Sequence, residues 1–181
     1  MTKYLILIVF GLLMGCASYR PLTVGMTTND IIKERGQPEY RKKVLNYEIW
    51  LYETRKDGWF FSPHADFEND VLLTRDDKVV VSRKFTYSIP TFFGPVYDKD
   101  LFDGWASHAS EEVLRKDLDC IIAGKIRKGM SSVPVLLCFG QPEKIGPGRG
   151  SLGSSFDYLD KQIIFWMGAV SSVSNDSILM H

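Results

Sequence analysis

The sequence predicts an α+β fold of two tandem helix-plus-antiparallel-sheet repeats behind a lipoprotein signal peptide, on three observations. Residues 25–39, GMTTNDIIKERGQPE, are written a second time at 129–143 as GMSSVPVLLCFGQPE. Each copy leads into runs rich in aromatic and branched residues, which favour strands. Ahead of the first copy lies a short apolar run that ends at a cysteine, too brief to span a bilayer at about 20 residues.

The two copies align without a gap. Gly25 and Gly129 are 104 apart (129 − 25), and so are Gly36 and Gly140 (140 − 36). Six positions are identical, and Thr27/Ser131, Thr28/Ser132, Ile31/Val135 and Ile32/Leu136 are conservative. Self-similarity of this kind means that one supersecondary unit is used twice. Thr27 and Ser131 are placed to cap a helix through their hydroxyls, and Asp30 follows Thr27 at capping-box spacing. Ile31, Ile32, Val135 and Leu136 supply the buried stripe. Gly36 and Gly140 tolerate the positive φ that ends a helix, and Pro38 and Pro142 forbid its continuation.

On these residues, the shared Gly-Met-Thr/Ser opening and Gly-Gln-Pro-Glu close followed by an aromatic strand, the chain resembles the BamE (SmpA/OmlA) outer-membrane lipoproteins. It is also similar to the repeated helix-and-sheet unit of the β-lactamase inhibitor proteins. The resemblance covers roughly residues 22–85 and 117–175. It implies envelope maintenance or outer-membrane protein assembly. Assembly-complex members of that family normally carry one such unit, so the doubling departs from their pattern.

The N-terminal address reads as follows. Lys3 gives a positive start, Leu5 to Leu13 is apolar, and Leu13-Met14-Gly15-Cys16 resembles a bacterial lipobox. In such signals the Cys16 thiol is diacylglycerylated and cleavage makes it the new N-terminus. Ala17 and Ser18 follow, with no Asp of the kind that retains lipoproteins in the inner membrane. The expectation is an outer-membrane, lipid-anchored, periplasm-facing protein, held at about 0.8 kcal/mol per buried CH₂. The organisation expected is 1–15 signal peptide, 16–23 lipidated tether, 24–85 repeat 1, 86–109 aromatic connector and 110–181 repeat 2.

Within repeat 1, Tyr47 to Tyr52 reads as a strand, and Val71 to Arg75 with Val79 to Phe85 as a hairpin around Asp76-Asp77-Lys78. In repeat 2, Phe156 to Leu159 reads as a strand, and Ile163 to Met167 with Val170 to Ser174 as a hairpin around Gly168-Ala169. Glu39 to Val79 spans 40 positions and Glu143 to Val170 spans 27, so repeat 1 holds 13 more. The excess is expected in a loop at 55–70, where extra residues on a repeated scaffold often meet partners. The connector, with Tyr87, Phe92, Phe93, Tyr97, Phe102 and Trp105, is too aromatic for a solvated linker. After it, Ser110 caps a helix with Leu114, Leu118, Ile121 and Ile122 on one face and Gly124 at its end.

Several chemistries are disfavoured. Lys+Arg and Asp+Glu both number 22 among 181 residues, which leaves no basic field for nucleic acid. His64 with Asp66, Glu68 and Asp70 has no metal-loop spacing and reads as an exposed acidic loop. His108 beside Ser107 and Ser110 lacks a nucleophile elbow. Gly148 to Gly153 matches G-x-G-x-x-G as a string, but a helix stop precedes it and a strand follows, the reverse of a dinucleotide site. No catalytic residue, metal or cofactor is expected, and no small-molecule substrate.

Cys120 and Cys138 remain once Cys16 is lipidated. They are either a bridge, as an oxidising periplasm permits, or two small buried residues. Trp59, Phe60 and Phe61 carry hot-spot chemistry, with Arg55 and Lys56 (and Asp57) as a polar rim; the alternative is that such aromatics are core. The function expected is a non-catalytic protein-interaction or scaffold module with an envelope protein partner. The alternative is an inhibitor-like protein that occludes a periplasmic or host enzyme.

Overall fold

The computed structural model describes residues 21–56, 64–90, 98–147 and 153–174. Helix α1 (Thr28–Arg35) starts where the Thr27 hydroxyl accepts from Asp30 N at 3.1 Å. That hydroxyl also donates to Asp30 Oδ2 at 2.7 Å. The reciprocal contact therefore runs through the hydroxyl. Gly36 closes the helix at φ +82°, its N–H on Ile32 O.

Four antiparallel strands follow in the order β1 (Tyr40–Val44), β2 (Tyr47–Lys56), β3 (His64–Arg75) and β4 (Lys78–Pro90). Strand β1 carries three successive basic residues, a composition that hid it from the sequence reading. The expected loop at 55–70 is shorter, because β2 runs through Lys56 and β3 starts at His64. The register sets Asp70 opposite Lys84, and opposed charges support a ladder. Glu68 and Asp70 are buried in this strand, not exposed in a loop.

The connector is structured at both ends, as β4 reaches Pro90 and helix α2 occupies Asp98–His108. Phe102 and Trp105 of α2 are core residues. Helix α3 (Glu111–Ala123) opens on Ser110, whose Oγ accepts from Val113 N at 3.4 Å. It ends in a Schellman arrangement: Lys125 N donates to Cys120 O and Gly124 N to Ile121 O, with Gly124 left-handed. Leu114, Leu118 and Ile121 are buried as expected, whereas Ile122 is 45% exposed. At about 100° per residue Ile122 lies some 80° from Leu114, at the margin of the stripe, and Asp117 takes the interior place.

Helix α4 (Ser132–Phe139) has no side-chain cap from Ser131, and Gly140 ends it at φ +83°. Pro134 is accommodated because the first-turn N–H groups have no helical partner. The second sheet is β5 (Lys144–Pro147), β6 (Gly153–Tyr158), β7 (Lys161–Trp166) and β8 (Ala169–Ser174), in that order and antiparallel. It is separate from the first, not continuous with it.

The same contacts recur around the two motifs. Gly25 N donates to Val79 O, and Gly129 N to Val170 O. Val79 N donates to Met26 O, and Val170 N to Met130 O. The Tyr52 hydroxyl donates to Gly36 O and that of Tyr158 to Gly140 O, both at 3.1 Å. A bulge interrupts β3–β4 after Leu73 and β7–β8 after Ile164.

The first sheet is covered on both faces. Trp50, Tyr52, Leu72 and Val79 pack with Ile31 of α1 and with Leu22. Ile49, Leu51, Val71, Leu73 and Val81 pack under α2, α3 and α4. In the second sheet Phe156, Ile163, Phe165 and Val170 pack with Val135 of α4 and with Met130. Helix α4 serves both cores, Val133 and Leu137 in one and Val135 in the other. That is why its sequence, SVPVLLCF, is apolar all round while α1 is amphipathic.

Candidate functional site

Cys16, Asp57, Trp59, Phe60 and Phe61 lie outside the described residues. Arg55 and Lys56 end β2, at the edge of the undescribed stretch 57–63. The structure therefore brings no described side chain to the expected partner edge.

The opposite end of the first sheet holds a cleft of about 750 Å³. The N-terminus of α1, the β1–β2 and β3–β4 turns and the start of α3 form its walls. Each wall follows from local chemistry. Asp76 and Asp77 adopt φ +50° and +58°, the double left-handed turn that matches strand twist, and Asp tolerates it. Leu45 adopts φ +58° in the β1–β2 turn, a conformation uncommon for leucine, and packs against the core below.

Inside the cleft, cations lie over aromatic faces. The Arg41 guanidinium sits 4.7 Å from the Trp50 ring centroid, and that of Arg75 sits 5.3 Å from Tyr47. Arg41 donates to Glu48 Oε2 at 2.7 Å, and the Trp50 indole N–H donates to the same oxygen at 2.9 Å. These two bonds hold the Glu48 carboxyl below the usual carboxylate range. Arg75 donates to the Tyr47 hydroxyl at 2.8 Å, and Arg115 pairs with Glu111 at 2.7 Å. The lining offers matched charges and π faces, without a thiol, an imidazole or a serine. Sequence reasoning missed it because Arg41 and Lys43 sit in the unread strand β1; a basic run directly after the Gly-Gln-Pro-Glu stop was the available signal.

Elsewhere the candidate chemical groups have structural partners. Arg35 and Asp70 form a buried pair at 3.2 Å, and Glu68 pairs with Lys84. Burial pushes the Asp70 carboxyl above its ordinary range, against the pull of Arg35. Desolvation lowers Arg35 despite Asp70, so for both partners burial outweighs their attraction. Asp117 accepts from the Trp105 indole at 3.0 Å and from Arg127 at 2.5 Å, which ties α2 to α3. The His108 ring bonds to Gly104 O within its own helix, not to Ser107 or Ser110. Among the described residues no three His, Cys, Asp or Glu side chains are grouped to hold a metal. No described helix is long and apolar enough to cross a membrane.

Cys120 and Cys138 are free thiols. Cys138 Sγ lies 3.6 Å from Lys125 O and 3.9 Å from Cys120 O, and burial pushes its thiol up to about 11. On one face of the second sheet Trp166 is 47% exposed beside Ile164 and Gln162, and no described helix packs there, while Ser155 on the same face is buried. No family model, curated protein or solved structure matches the chain.

Proposed function

We propose that the protein is a non-catalytic, lipid-anchored envelope module that binds a protein partner, built as a tandem repeat of one helix-and-sheet unit. The cleft at the end of the first sheet carries this reading. It presents the Arg41 and Arg75 guanidiniums, held in place over the buried Trp50 and Tyr47 rings, among matched acidic groups, and arginine is a residue type enriched at binding hot spots. The recurrence of the Gly25/Gly129 and Tyr52/Tyr158 hydrogen bonds supports the duplication. The resemblance to BamE-like lipoproteins and the Leu13 to Cys16 sequence support an outer-membrane, periplasm-facing location, and envelope maintenance or outer-membrane protein assembly as the setting.

Attachment at Cys16 would also fix a distance. Leu22 is buried, and its carbonyl accepts from the Ser82 hydroxyl at 2.7 Å, so the chain is tied to the first sheet there. Six residues separate the two positions (22 − 16), a reach of roughly 20 Å when extended. The cleft's sheet then stands beside the bilayer, within reach of a membrane-embedded partner.

The test is capture from solubilised membranes by the full-length lipoprotein and by an Arg41→Glu, Arg75→Glu double variant. Co-elution of barrel-assembly proteins that the variant loses, with its melting temperature within a few degrees of wild type, supports the reading. Equal capture by both proteins removes the cleft from it, and recovery of one soluble hydrolase favours the inhibitor-like alternative. Separately, Cys16→Ala is expected to abolish fatty-acid labelling and release the protein from membranes. Persistent labelling would refute the anchor.

A further inference from the structure

The outer face of the first sheet presents Ile49, Leu51, Val71, Leu73 and Val81 to three helices. By register and by the recurring contacts, the matching positions of the second sheet are Ser155, Asp157, Gln162, Ile164 and Ser172. Four of the five apolar residues are exchanged for polar ones. This face is therefore not prepared for another helix or for an apolar copy of itself; polar outer faces are what close a repeat array.

One feature does not fit a merely solvated face. Trp166 stands on it half exposed, with Ile164 beside it on the same strand and Ser172 and Ser174 on the neighbouring one. Together they line a shallow groove of about 370 Å³. The Gln162 amide is already oriented, donating to Asp157 Oδ1 at 2.7 Å. The register sets Lys144 opposite Asp157, so among the described residues the face carries one charge of each sign.

We propose that this face binds an uncharged oligosaccharide, with the Trp166 indole as the platform for a sugar ring. Charge complementarity selects the ligand. A neutral face gives a polyanion such as nucleic acid no cation array, whereas hydroxyls and an amide both donate and accept, as sugar hydroxyls do. The apolar C–H face of a pyranose matches a flat indole that keeps a polar edge. Gln162 and Trp166 lie four residues apart on one strand, roughly 13 Å, a length that about two linked rings would fill. The strand holds the platform in place before binding, which lowers the ordering cost. This site is independent of the cleft and of the anchor.

The experiment is titration of the full-length protein in detergent micelles with chitohexaose, cellohexaose and maltohexaose, followed by calorimetry and the indole N–H resonances. At least one is expected to bind with Kd of about 1 mM or tighter and to shift the Trp166 resonance. Trp166→Ala should weaken that binding about tenfold or more at an unchanged melting temperature, and Trp166→Phe should retain most of it. The proposal is overturned if none of the three sugars binds, or if Trp166→Ala binds as well as wild type. It is equally overturned if that variant loses several degrees of stability or breaks up an oligomer, since the face is then core or a self-contact.

Discussion

One pair of positions takes opposite chemistry in the two halves of the molecule. Arg35, the last residue of α1, meets Asp70; Phe139, the last residue of α4, lies 4.5 Å from Lys161 Nζ through its ring. Asp70 and Lys161 face Tyr52 and Tyr158 at the same register. An ion pair and a cation–π contact thus fill one niche. Breaking the buried pair by Arg35→Phe or Asp70→Lys alone is expected to cost up to about 3–5 kcal/mol, because each removes the opposite charge from a buried one. The double variant should recover most of that loss in urea melts; additive losses would show that the two niches are not equivalent. The carboxylates also differ in sign. Glu48 has a folded pKa held below its unfolded value of about 4.3, so it stabilises above that pH and the benefit is lost as pH falls through the folded pKa. Asp70 is raised, so its contribution is present below its unfolded value of about 3.9 and is lost as pH rises through the folded pKa. Glu48→Gln should therefore flatten the acid limb of the stability profile, measured by denaturant midpoints below about pH 5. Of the two thiols, Cys120 should alkylate first at neutral pH, with Cys138 slow until pH approaches 11. Equal rates by mass spectrometry would contradict that order.

At the scale of elements, both repeated helices end on a glycine whose backbone no other residue readily adopts. Gly36 and Gly140 combine φ near +82° with ψ of −166° and −158°, a region reached almost only by glycine. Alanine at either position should cost about 1–3 kcal/mol. The two costs should be similar, because the strain lies in the backbone: a Cβ at Gly36 meets open space, and one at Gly140 makes only an ordinary contact with Arg83 Cδ at 3.5 Å. Thermal melts that rise, or do not move, would contradict this. These stops were legible in the sequence because glycine two residues before proline has few other uses. The hairpins were legible because their turns interrupt β-rich runs, although the second turn falls at Met167-Gly168, one residue before the expected Gly168-Ala169, with Met167 itself at φ +52°. Strands β1 and β5 were not, since Tyr40–Val44 is basic and Lys144–Pro147 holds glycine and proline. Helix α2 was read as connector because Gly104 and clustered aromatics mask its period. The cleft escaped because Arg41 and Lys43 lie in the unread β1 and its other groups come from α1, β2, two turns and α3, which only the fold brings together.

At the scale of the molecule, the two sheets are joined by what α4 does rather than by any shared strand. Its Val133 and Leu137 complete the first core, and its Val135 belongs to the second. Arg83 of β4 reaches the α4 terminus and donates to Cys138 O at 2.5 Å. Heating or denaturant is therefore expected to give one transition by fluorescence and by circular dichroism. Two separated transitions would mean that the halves are autonomous. A chain cut between α3 and α4 makes the consequence plain. The N-terminal fragment would lack the ceiling of its own sheet, and the C-terminal one would present Val133 and Leu137 to water. Neither piece should survive alone, yet mixed together they should reassemble, each serving as the other's chaperone. A protein that reads as one unit written twice would then behave as a lock and its key, inseparable at the eight residues of a single helix.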